Sequence, residues 1–125
     1  MAMLTDELIQ AWDNREPAVV LTTVDADGKP NSIYASCASR FGDDAVVIAN
    51  NYFSKTMDNL QSGGSGAVLF ITKDRKAYQL KGPLEYHTQG EIFDDMKKWN
   101  PEKHPGHGAA VLRVKEAYSG ANKLI

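Results

Sequence analysis

Ala45-Val46-Val47-Ile48-Ala49-Asn50-Asn51-Tyr52-Phe53-Ser54-Lys55-Thr56 is the stretch on which the reading of the fold turns. Its first five residues are apolar at every position instead of alternating, so they predict a strand covered on both faces. Asn50 to Phe53 breaks that run as a polar and aromatic loop. A helix follows over 54–62, with Met57 and Leu60 on its inner side and Gly63-Gly64 as its stop.

Upstream, Thr5 can cap a short helix whose first turn carries Asp6 and Glu7 and whose Leu8, Ile9 and Trp12 share a face. Glu16-Pro17 closes it, because a residue before proline avoids helical backbone. Ala18 to Val24 is dense in β-branched residues and predicts a strand. Asp25-Ala26-Asp27-Gly28 turns it into a returning strand over 31–41, and Gly42-Asp43-Asp44 leads into the apolar run. Downstream, Ala67 to Thr72 is a second apolar strand, and Lys73 to Lys76 turns it into a strand over 77–86. Gly82-Pro83 there marks a bulge or an edge. Thr88 and Glu91 have the spacing of a capping box ahead of a helix to about Trp99, with Ile92, Phe93, Met96 and Trp99 on one stripe. Asn100 to Gly108 is a Pro-, His- and Gly-rich loop, Ala109 to Val114 a last strand, and the end a polar tail. The strands lie too close in sequence for crossover helices at most junctions, so the expected class is mainly β, a small antiparallel barrel with short helices.

The chain has 125 residues, which suits one domain spanning 1–125. With 14 Lys+Arg against 16 Asp+Glu, the net charge of −2 gives no reason to expect nucleic acid as a partner. Cys37 is the single cysteine, which excludes an intrachain disulfide and a cysteine-built zinc site. Met1 to Glu7 carries no basic region ahead of an apolar run, and no apolar run approaches the ~20 residues of a membrane helix. A cytoplasmic protein with no membrane partner is therefore expected.

The chemistry concentrates at Ser54-Lys55-Thr56. A helix start exposes unpaired N–H groups with a partial positive charge, Lys55 adds a full cation, and the two hydroxyls add donors, a combination that suits a phosphate. Asn50 and Asn51, with the loop backbone, could meet the polar edge of a ring further along the same ligand. The plainer reading has Ser54 or Thr56 merely capping the helix and Lys55 facing water.

Three segments in their order resemble one family over nearly the whole chain. They are Thr22-Thr23-Val24-Asp25-Ala26-Asp27-Gly28-Lys29-Pro30-Asn31, Ser54-Lys55-Thr56-Met57-Asp58-Asn59-Leu60, and Tyr78-Gln79-Leu80-Lys81-Gly82. The chain resembles the FMN-binding split-barrel proteins related to pyridoxamine 5′-phosphate oxidase, above all their short single-domain members. The resemblance implies a six-stranded antiparallel split β-barrel with short flanking helices. It implies that FMN phosphate is held by Lys55 and Thr56 together with Ala35, Ser36 and Cys37, and that the isoalloxazine lies along Ala49 to Phe53. It also implies that Gln79 and Lys81 approach the flavin across the interface of a homodimer. The Arg-x-His element that the oxidase carries near its C-terminus is missing from Val114 to Ile125, so oxidation of pyridoxamine phosphate is not expected. Some relatives of this fold bind haem or deazaflavin F420 instead.

Other constellations are weaker. His104-Pro105-Gly106-His107, with His87 before it, falls short of the three or four convergent ligands a metal needs, so no metal is expected. A histidine of that loop could donate a proton near a flavin. Cys37 has no evident activating base, and Trp12 and Trp99 sit on helix stripes as core or interface residues. Two classes of function remain: an FMN-dependent oxidoreductase or electron-transfer protein acting on a small molecule or redox partner, and a non-enzymatic binding protein on the same barrel.

Overall fold

The structure, a computed structural model, describes residues 4–125; Met1, Ala2 and Met3, part of the start expected to carry no leader, lie outside the described residues. Helix α1 (Asp6–Asp13) starts as expected, with the Leu8 N–H donating to Thr5 Oγ1 at 3.3 Å. Strands β1 (Val19–Val24) and β2 (Pro30–Ala35) form the hairpin in antiparallel register. Asp25 builds its turn by accepting from the Asp27 and Lys29 N–H groups, and Gly28 takes the positive φ of 82°.

The expected strand over 31–41 is two strands. After β2 the chain steps across Ser36-Cys37 into β3 (Ala38–Phe41), which pairs with β4 (Ala45–Asn50) and not with β1. Helix α2 (Lys55–Gln61), β5 (Ser65–Ile71), β6 (Ala77–His87), α3 (Glu91–Trp99) and β7 (Gly108–Arg113) follow. The tail read as merely polar adds β8 (Glu116–Ser119) and the two-residue β9 (Asn122–Lys123). The strands among the described residues therefore number nine, not six. Strand order is β2-β1-β5-β6-β7-β4-β3, with β8 bound to β6 and to β9, and every pairing is antiparallel. The architecture is a split barrel.

β6 is the shared wall. Its first half pairs with β5 and its last residues, Leu84 to His87, with β7. The exchange occurs at Gly82-Pro83, where a Cβ on Gly82 would stand 1.8 Å from the Arg113 carbonyl oxygen, so only glycine admits the crossing chain. β4 is buried at all six positions, as its unbroken apolar run requires. Val46 and Ile48 face the barrel core with Leu21, Val68, Leu80 and Leu112, while Val47 and Ala49 face Ile92 and Met96 of α3. The capping box is not formed: α3 begins at Glu91 behind Gly90 (φ 94°), which has no side chain to cap it, because the left-handed glycine starts the helix later than Thr88 would. Arg15 ties α1 to the start of β3, donating to the carbonyls of Trp12 and Ala38 (both 2.9 Å). Burial lowers its pKa from the usual guanidinium value, and nearby Asp13 partly offsets this.

Candidate functional site

The step from β2 to β3 and the exit of β4 lie side by side, because the Ala49 N–H donates to the Cys37 carbonyl at 2.9 Å. Between them opens a cleft of about 280 Å³. Of the residues expected to meet a cofactor, Ala35, Ser36, Cys37, Ala49, Asn51 and Phe53 all line it. Tyr52 and His104 complete its mouth, with Tyr52 Oη 3.2 Å from His104 Nδ1 and the rings edge to face. Tyr52 is 73% exposed, a large aromatic that the loop presents to solvent. It falls within the Ala49–Phe53 stretch along which the resemblance implies that the ring lies, although its pairing with His104 has no signal in the sequence.

The two asparagines are spent on structure. Asn50 turns inward: its Nδ2 donates to Tyr86 Oη at 2.8 Å, and its Oδ1 accepts from the Phe53 N–H at 3.0 Å. Asn51 and Asn100 exchange side-chain amide bonds of 3.1 and 3.0 Å, and Asn51 Oδ1 also accepts from the Gly106 N–H. Both side chains are buried, so at these positions the loop offers a ligand its backbone, not its amides. The same bonds anchor the loop that carries His104. The His107 N–H donates to the Asn50 carbonyl, and Lys97 Nζ donates to the carbonyls of Pro105 and Gly106.

Ser54 precedes α2 and is exposed, and its hydroxyl makes no capping bond to the helix. Lys55 is exposed too and lines a second pocket of about 270 Å³ with Lys29 and Asn31. Thr56 lies beneath, 1% exposed, where its Oγ1 accepts from Asn31 Nδ2 at 3.1 Å. Gln79 and Lys81 stand apart from both pockets, on the outer face of β6, where Lys81 Nζ sits 5.0 Å over the Tyr118 ring. Register places Tyr34, Val20, Leu69, Gln79 and Tyr118 in one row across that face, with Tyr34 81% and Leu69 44% exposed. The histidines do not converge: His104 is at the cleft, His107 is exposed, and His87 Nε2 contacts Glu85 Oε1 at 2.8 Å. Among the described residues no group of three or more His, Cys, Asp or Glu side chains is placed to hold a metal ion. Nor is any helix there long and apolar enough to cross a membrane.

The family model described as pyridoxamine 5′-phosphate oxidase matches residues 5–119. An uncharacterized protein of Methanocaldococcus jannaschii is 31% identical over 134 aligned residues, covering 98% of this chain and 87% of its own. Among solved structures, HupZ of Group A Streptococcus superposes with a TM-score of 0.81 at 23% identity, covering 94% of both chains. An FMN-binding protein of Syntrophomonas wolfei superposes with a TM-score of 0.71 at 22% identity, covering 87% of this chain and 80% of that one. At these identities the two structural likenesses speak for the fold alone.

Proposed function

The chain belongs to the pyridoxamine 5′-phosphate oxidase family, and from that premise we propose that it is a flavoprotein that binds FMN and works as a homodimer. The observation that carries this reading is the cleft between the β2–β3 step and the loop after β4. Its floor is apolar at Ala35 and Ala49, its edge carries the Ser36 hydroxyl and Cys37 thiol, and the loop beyond Phe53 leads to Ser54 and Lys55. An apolar floor with polar groups at one end suits a flat ring that carries a phosphorylated tail.

On this reading Lys55 and the hydroxyls of Ser54 and Thr56 hold the phosphate, while Ser36 and Cys37 line the neighbouring cleft that takes the ring. The ring lies along Ala49 to Phe53 and meets backbone at Asn50 and Asn51, because their amides are already satisfied. The cleft's volume of about 280 Å³ falls just below the ~300–1,000 Å³ of pockets that enclose ligands of cofactor size. A second copy of the chain, seated on the row Tyr34–Val20–Leu69, would complete it and bring its own Gln79 and Lys81 toward the ring. The flavin supplies hydride or electron transfer, while the protein orients the ring and excludes water from it. The function is then that of an oxidoreductase or electron-transfer protein acting on a small molecule or redox partner. A second reading keeps the cleft and changes the ligand, since the His104 imidazole at its mouth favours haem.

Titration of FMN fluorescence tests the first reading. Saturable quenching at one FMN per chain is expected, and Lys55→Ala should weaken it at least about tenfold, the worth of one charge-assisted contact. Unchanged affinity in that variant would remove the phosphate anchor, and no quenching by the native chain would remove FMN.

A further inference from the structure

A second cleft, of about 410 Å³, adjoins the first and shares Ser36, Cys37 and His104 with it. Its own walls are Ser39 from β3 and Trp99, Pro101 and Lys103 from the end of α3 and the loop beyond. The Trp99 ring is fixed on both sides: its Nε1 donates to Asp95 Oδ2 at 3.3 Å, and its body packs on the cluster beneath α3. Lys103 is exposed and makes no ion pair among the described residues, whereas Lys97 on the same side is spent on the carbonyls of Pro105 and Gly106. No carboxylate lines this cleft; Glu102, the neighbour of Lys103, does not reach it. The loop that carries Lys103 and His104 is held at Asn100, Gly106 and His107, so both side chains start from an anchored backbone.

From these walls we infer that the second cleft is the substrate subsite and that it takes a small aromatic monocarboxylate. The indole gives the cleft a fixed aromatic wall against which a planar ring can pack, and Lys103 supplies a single positive charge for a carboxylate. His104, common to both clefts, stands where such a ligand would meet whatever occupies the first. One flexible ammonium, with no arginine fork beside it, matches a monoanion better than a phosphate dianion. This inference rests on the flavin reading for the meaning of the shared boundary, but ligand binding in the second cleft can be measured without flavin.

The test is a two-dimensional 1H–15N spectrum of the protein, recorded with and without added FMN, during titration with benzoate. The indole N–H peak of Trp99 is assigned by its loss in Trp99→Phe, which separates it from Trp12. Benzoate should shift that peak saturably, and benzamide, which is neutral, should not. Lys103→Glu should weaken benzoate binding about fivefold, the scale of one exposed charge contact, and leave the protein's other peaks in place. No shift with benzoate, equal shifts with benzamide, or tighter binding of phenyl phosphate would each overturn the assignment. Because the peak is read in both states, loss of FMN binding alone would count against the flavin reading and leave this result standing.

Discussion

Asn100→Ala should be among the most costly single changes near the cleft, although Asn100 lines neither pocket there. Asn51 and Asn100 are 8% and 6% exposed and joined by two reciprocal amide bonds. Removing Asn100 deletes both bonds and leaves Asn51 Nδ2 buried without a partner, while Oδ1 keeps the Gly106 N–H. Each lost bond is worth about 0.5–1.5 kcal/mol and an orphaned buried donor costs about 1–3, overlapping contributions that together amount to about 2–4 kcal/mol. For a chain of this length that corresponds to a fall in Tm of roughly 6–20 °C. Asn51→Ala should cost at least as much, since it also orphans the Gly106 N–H. The assay is urea unfolding followed by circular dichroism for both single variants and the double variant. The double variant should lose little more than the worse single one, leaving a coupling of about 1–3 kcal/mol. A loss below about 0.5 kcal/mol in Asn100→Ala, or additive losses in the double variant, would refute the buried exchange as the lock between the two loops.

Three other changes probe separate parts of the account. Leu69→Lys puts a charge in the middle of the exposed row and should turn the proposed dimer into a monomer by light scattering; a dimer unchanged by it would move the interface elsewhere. Gly108→Ala would set a methyl 2.3 Å from Tyr86 Oη, so it should displace the tyrosine, leave Asn50 Nδ2 only the weak 3.5 Å contact with Met57 Sδ, and cost about 1–3 kcal/mol in urea unfolding. Glu85 accepts from Arg113 at 3.0 and 3.3 Å, and chiefly that contact holds its carboxyl below the usual carboxylate range. A depressed folded value adds stability that is present above the unfolded value and lost as pH falls through the folded one. Glu85→Gln should therefore cost stability at neutral pH and flatten the acid limb of the stability curve, by under about 1 kcal/mol because the side chain is 40% exposed. An unchanged acid limb would count against the pair.

The elements that could be read from sequence are those decided by local chemistry. An apolar residue at every position of Ala45–Ala49 left only a doubly covered strand, Thr5 could cap only what followed it, and Asp25 with Gly28 fixed the first turn. What escaped depends on partners far along the chain. Residues 31–41 are β-compatible throughout, and nothing local reveals that pairing passes from β1 to β4 at Ser36-Cys37. Glu116–Ser119 is polar enough to read as a tail and is a strand only because Gln79–Lys81 offers it an edge. At the site, the family resemblance pointed to Ala35, Ser36, Cys37, Ala49, Asn51 and Phe53, and the structure gathers these six along one cleft. Sequence could not show that the amides of Asn50 and Asn51 are consumed by Tyr86 and Asn100, which lie 36 and 49 residues further on.

The most direct measurement of the central claim is the visible absorption spectrum of the purified protein, supplied with FMN and then desalted. The account predicts the two visible flavin bands, retained with the protein at one FMN per chain. A Soret band in the protein as purified would contradict it in favour of haem, and a colourless protein after FMN loading would contradict the flavin site itself.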